Sequence, residues 1–227
     1  MHSGKSAGIR GVFSLVAVAA IALPTFAAPI PLGTSGWGSE VVDGTLNNSV
    51  VDDTNNDRVV IEIVKEFTDP WEFGAFPPIE IAFTQIADDA STVPSIVIDD
   101  ESITNMTGDA WTDYHWAVID SGQAWFNVPQ MANIDTSPFN TQSFSGMVGG
   151  DPNKMMNFNV EGGVVPNGGQ FNPGLLDGAL WIDTDLSSAN DVTFNFKQFP
   201  TNPAIPEPST MMLMIGVGSM FVARRRR

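Results

Sequence analysis

Glycine, proline, asparagine and aspartate interrupt this chain about every ten residues, and the segments between them are short and rich in β-branched and aromatic side chains. Such punctuation leaves no room for a long amphipathic helix between residues 28 and 200, so the body must be built from strands. The clearest strand pattern is Arg58 to Phe67. There Val59, Ile61, Ile63 and Phe67 point one way and Glu62 and Glu66 the other, the period of two of a half-buried strand. Ile79, Ile81 and Phe83 repeat the alternation behind the Pro77-Pro78 break. Residues 95–99, 112–120, 123–128, 155–160, 179–183 and 191–199 read as further strands. Ser121-Gly122 lies where 112–120 and 123–128 would pair as a hairpin. With roughly eight to ten strands, each sheet has one face to bury against another. The expected fold is therefore all-β, an antiparallel two-sheet β-sandwich, with jelly-roll and immunoglobulin-like topologies both open. One domain spans residues 28–200 and an extended linker residues 201–205.

The two ends carry destination signals. Lys5 and Arg10 precede an apolar run, and Thr25 and Ala27 put small side chains at the first and third positions before a cut between Ala27 and Ala28. Residues 1–27 thus read as a signal peptide removed by signal peptidase. At the other end, Pro206-Glu207-Pro208 precedes 13 residues from Met211 to Ala223, and then Arg224, Arg225, Arg226 and Arg227. As a helix that apolar run reaches about 20 Å, short of a hydrocarbon core of about 30 Å. It reads as a weak transmembrane helix, with the arginines as a cytoplasmic stop that leaves the body outside.

The order of Pro-Glu-Pro, apolar helix and arginine cluster resembles the PEP-CTERM sorting signal of Gram-negative bacteria, here over residues 206–227. The resemblance implies that an exosortase, a membrane-embedded cysteine transpeptidase-like enzyme, is the processing partner. It also implies that the chain is held transiently in the inner membrane with its body in the periplasm, cut near Pro206-Glu207-Pro208, and passed to the cell surface or extracellular matrix. Association with exopolysaccharide or biofilm is part of the same implication. Residues 103–126 and 164–185 look similar to the β-rich bodies of other proteins that bear this signal, a likeness that carries no activity.

Without the two end segments the chain keeps four basic side chains, Arg58, Lys65, Lys154 and Lys197, against 25 acidic ones. Phosphate binding needs clustered Lys and Arg, so nucleic acid is not an expected partner. The charge serves solubility, and cations are the better match to such a surface. The chain has no cysteine, which excludes disulfides and thiol chemistry alike.

Catalytic constellations are sparse. His115 is the only histidine of the body and no G-x-S-x-G surrounds a serine, so a serine hydrolase or histidine-based zinc site has too few parts. Acidic pairs are abundant, but Asp99-Asp100-Glu101 and Asp183-Thr184-Asp185 read as solvated turn residues rather than a glycosidase pair. The chain is not expected to be an enzyme, and no cofactor is expected apart from calcium. Asp53, Asn55 and Asp57 offer oxygens at alternating positions of a loop, although Arg58 and Val64 stand where an EF-hand needs Gly and Glu. Six tryptophans against one tyrosine suggest a second reading, a carbohydrate-binding β-sandwich. For that reading Trp111, in a polar turn beside Gly108 and Asp109, is the candidate sugar contact, while Trp116 and Trp181 read as core. The first reading is a structural surface or matrix protein.

Overall fold

The computed structural model describes residues 28–54, 56–72, 76–119, 122–187 and 191–201. The expected signal peptide, Asn55, residues 202–205 of the linker, Pro206-Glu207-Pro208, the apolar run and Arg224 to Arg227 lie outside the described residues. No helix among the described residues is long and apolar enough to cross a membrane.

The body is all-β, as the punctuation predicts. Its strands are β1 (Ile30–Pro31), β2 (Trp37–Asp43), β3 (Leu46–Asp52), β4 (Arg58–Phe67), β5 (Ile79–Gln85), β6 (Ser95–Ile98) and β7 (Ser102–Asn105). They continue as β8 (Trp111–Ile119), β9 (Ala124–Asn127), β10 (Thr141–Val148), β11 (Asp151–Val165), β12 (Gln170–Phe171), β13 (Leu180–Thr184) and β14 (Thr193–Phe199). A three-residue 3-10 turn, Asp89–Ser91, is capped by the Asp88 side chain, which accepts from Ser91 N.

Two separate antiparallel sheets were the expectation, and the pairing corrects it. All fourteen strands join one sheet, along the order β1-β2-β5-β14-β8-β11-β9-β13-β6-β4-β7-β12, with β10 beside β11 and β3 beside β4. Two of its pairings, β4 with β6 and β4 with β7, are parallel. The long β11 makes the sheet continuous. Along one edge it pairs residues 157–165 with β8, then Lys154 and Met155 with β9, while β10 occupies its other edge. Strand β9 therefore continues the line of β8 instead of folding back beside it. The expected hairpin across Ser121-Gly122 is corrected for the same reason, since β11 presents a free edge to both strands in turn.

The sheet curls so that β4, β7 and β12 face β8 and β14 across a shared core. Phe67 of β4 packs edge-on against Trp111 and Tyr114 of β8, with centroids 5.3 and 6.0 Å apart. Phe171 of β12 lies 5.4 Å from Tyr114 and 5.8 Å from Trp116. Trp116 stacks on Phe158 of β11 at 5.0 Å, and Phe158 in turn on Phe144 of β10 at 4.7 Å. Offset and edge-on aromatic pairs of this kind add about 0.5–1.5 kcal/mol each beyond area burial, so a core without disulfides is stiffened by ring geometry.

Candidate functional site

Strand β4 has an inward register at residues 59, 61, 63, 65 and 67, and one of those positions is a lysine. Val59, Ile61, Ile63 and Phe67 are core residues, and Lys65 is buried with them. Facing it, Glu101 leads into β7 and Gln198 sits on β14, and both are buried as well. The Lys65 Nζ donates to Glu101 Oε1 and to Gln198 Oε1. Trp116 Nε1 donates to the other Glu101 oxygen at 2.9 Å, and the Tyr114 hydroxyl donates to Gln198 Oε1 at 3.3 Å. The Gln198 amide nitrogen, by contrast, is buried with no hydrogen-bond partner.

This cluster is costly in ordinary terms. An orphaned buried donor costs about 1–3 kcal/mol, and a buried ion pair is often no better than an apolar replacement. Burial lowers the Lys65 ammonium to a pKa of about 8, against the opposing charge of and hydrogen bond to Glu101. Burial, with the Glu101 charge nearby, also holds the Tyr114 phenol well above its ordinary value, so it remains a proton donor. The expectation that Asp99-Asp100-Glu101 is a solvated turn thus needs correction at its last residue. Glu101 is the carboxylate that neutralises a buried lysine. Asp99 is pushed up from the usual carboxylate range by burial and by the like charges of Asp100 and Glu62.

Trp111 is not exposed. Its ring is fully buried against Phe67, Phe76 and Tyr114. The polar turn before it closes on itself: Asn105 Nδ2 donates to Asp109 O and Val165 O, its Oδ1 accepts from Thr107, and Gly108 N donates to Asn167. With its polar atoms satisfied internally, the turn covers the indole, whose Nε1 donates to Thr107 Oγ1 at 3.3 Å. Trp116 is core as expected. Trp181 is only half-buried, packs on the core with one face and lies under the Arg58 guanidinium at 5.5 Å. It lines a shallow depression with Arg58, Asp99 and Gln130. Each of the four basic side chains of the body lies against a ring: Arg58 on Trp181, Lys65 on Tyr114, Lys154 on Trp125 and Lys197 on Phe199.

Of the candidate calcium ligands, Asp53 turns toward Thr34, whose backbone N donates to its Oδ2 at 2.7 Å. Asp57 lies 3.5 Å from Arg58. Among the described residues no three His, Cys, Asp or Glu side chains are grouped to hold a metal ion.

The end of the body is tied down on β8. Thr201 N and Oγ1 donate to the two carboxylate oxygens of Asp113 at 2.9 and 2.6 Å. His115 stacks on Phe199, with Nδ1 donating to Asn159 Oδ1 at 2.7 Å and Nε2 to Thr201 Oγ1 at 3.0 Å. The fold thus holds the chain firmly up to Thr201, and residues 204–227 match the family model of the PEP-CTERM protein-sorting motif. The chain thus carries a PEP-CTERM sorting motif, which indicates an exported protein sorted by an exosortase. Its motif takes in Pro206-Glu207-Pro208 and the arginine cluster, the residues that carry the resemblance in the sequence. No curated protein and no solved structure matches the chain.

Proposed function

We propose that the protein is a structural component of the cell surface or extracellular matrix, associated with exopolysaccharide, and not an enzyme. The observation that carries this reading is the sorting motif beginning three residues beyond Thr201, where the fold pins the chain to Asp113 and His115. A signal peptide removed between Ala27 and Ala28 would start the route. The apolar helix and Arg224 to Arg227 would hold the chain in the inner membrane until an exosortase cuts near Pro206-Glu207-Pro208.

A second reading, carbohydrate binding, is favoured by the depression around Trp181, where one ring face is combined with Arg58, Asp99 and Gln130. With the Arg58 guanidinium swung off the ring, a sugar face would stack on the indole while charged and amide groups bind its hydroxyls. One experiment serves both. The full chain, a triple alanine variant at Pro206, Glu207 and Pro208, and Trp181→Ala are followed in the native host by fractionation and intact mass. We expect the wild type to lose the residues beyond the motif and appear outside the inner membrane, and the triple variant to stay in it. Equal retention of Arg224 to Arg227 in both would sink the sorting route. Loss of matrix association in Trp181→Ala alone would favour the carbohydrate-binding reading.

A further inference from the structure

We propose that Lys65 and Gln198 are joined in the folded protein by a self-made amide cross-link, with Glu101 as the proton carrier and ammonia as the leaving group. The juxtaposition carries the proposal. Lys65 Nζ lies against Gln198 Oε1, so the carboxamide carbon is one bond further on, and Glu101 Oε1 touches the same amine. All three side chains are buried beside Tyr114 and Trp116, where water does not compete. The groups are held in contact by β4, by β14 and by the residue that leads into β7, which converts a slow bimolecular aminolysis into a reaction of fixed neighbours.

The parts match the step. Glu101 takes one proton from the Lys65 ammonium, leaving a neutral amine whose lone pair attacks Gln198 Cδ. The carbonyl electrons move onto Oε1, where the Tyr114 hydroxyl donates to the developing oxyanion. Glu101 delivers its proton to Gln198 Nε2, then takes a second one from Nζ. The carbonyl re-forms, the Cδ–Nε2 bond breaks and ammonia departs. What remains is a secondary amide between the two side chains and a protonated Glu101, whose proton follows the ammonia to solvent. No oxidant, metal or cofactor enters the balance. Trp116 holds the far oxygen of Glu101, which keeps Oε1 directed at the amine. The depressed Lys65 ammonium makes the first proton transfer easier than for a solvated lysine. The partnerless Gln198 Nε2, unexplained as a structural feature, is the group that leaves.

The test is the intact mass of the full chain, folded and then read under denaturing conditions, followed by proteolysis and tandem mass spectrometry. We expect a mass lower by one ammonia than the sequence of the same ends requires, and a branched peptide that contains both Lys65 and Gln198. Wild-type chain collected and kept in denaturant should hold its full mass until it is diluted to fold. Glu101→Gln, shown to be folded by circular dichroism, should keep the ammonia, as should Lys65→Met. Full mass and separate Lys65 and Gln198 peptides from folded wild type would overturn the proposal. A cross-link formed in denaturant would remove the role of the fold, and one formed equally in Glu101→Gln would remove the role of Glu101.

Discussion

His115 makes the body more stable in mild acid than in mild base. Burial lowers the affinity of its imidazole for a proton. The hydrogen bonds to Asp113 and Asn159 and the charges of Asp113 and Glu161 outweigh that and raise its pKa above 6.5. Both ring nitrogens donate, to Asn159 Oδ1 and to a Thr201 hydroxyl whose own proton is given to Asp113, an arrangement that suits the imidazolium. A pKa raised on folding means that the native state holds the proton more tightly. That contribution is complete below the unfolded value near 6.5 and is lost as pH climbs through the folded one. The melting temperature of wild type should therefore fall between about pH 6 and pH 8, and His115→Gln should flatten the slope; a flat wild-type profile would contradict the assignment. The same scale shows how legible single residues were. Lys65 could have been found, because counting by twos from Val59 lands on it and a charge in an inward register demands a buried partner. Gln198 could not, since only the curl of the sheet brings β14 over β4. Trp111 misled because polarity nearby in sequence says nothing about which way a turn folds.

Among the strands, β4, β5, β6, β8, β9, β13, β14 and the middle of β11 were legible as alternating or continuous apolar runs between turn residues, and the mostly exposed β3 and β10 were not. Strand β10 is Thr-Gln-Ser-Phe-Ser-Gly-Met-Val, mostly exposed, and owes its conformation to pairing with β11 more than to a buried face. The end of β11 was hidden in the sequence because Gly162 and Gly163 look like a loop. In the fold they form the irregular register between Glu161 and Val165 against β8. Gly162 has φ +79°, a conformation that favours glycine, and Gly163 has no room for more. A Cβ at Gly163 would sit 2.4 Å from Pro138 O and 2.6 Å from the carbonyl carbon, both backbone atoms that cannot rotate away. Gly163→Ala should therefore destabilise the body by about 1–3 kcal/mol, the usual cost of overpacking. A chemical denaturation midpoint unchanged from wild type would show that the 138–140 segment yields freely. The open Gly149, where a Cβ meets nothing, is the control for space alone, although its φ of +60° adds strain of its own.

At the scale of the whole molecule, the curl joins residues far apart in the chain, and that gives the cross-link its largest effect in the unfolded state. Lys65 and Gln198 are 133 residues apart, so an amide between them closes most of the body into one loop. For a closed loop of about 100 residues, the chain-entropy account of cross-links assigns about 4.7 kcal/mol to the lost freedom of the denatured chain. A linear chain of the body's length would have a radius of gyration of about 44 Å when unfolded, and a chain closed over three quarters of its length must be smaller. Small-angle scattering of wild type and Lys65→Met, both in strong denaturant, isolates this effect, because the native packing around residue 65 is absent from both samples. We expect the wild type to be the more compact of the two, and equal radii would mean that the chain is open. The absence of cysteine ties this effect to function. An exported body without cysteine has no disulfide to limit its unfolding, and a buried amide between its fourth and last strands would do that work with a bond that reductants cannot open.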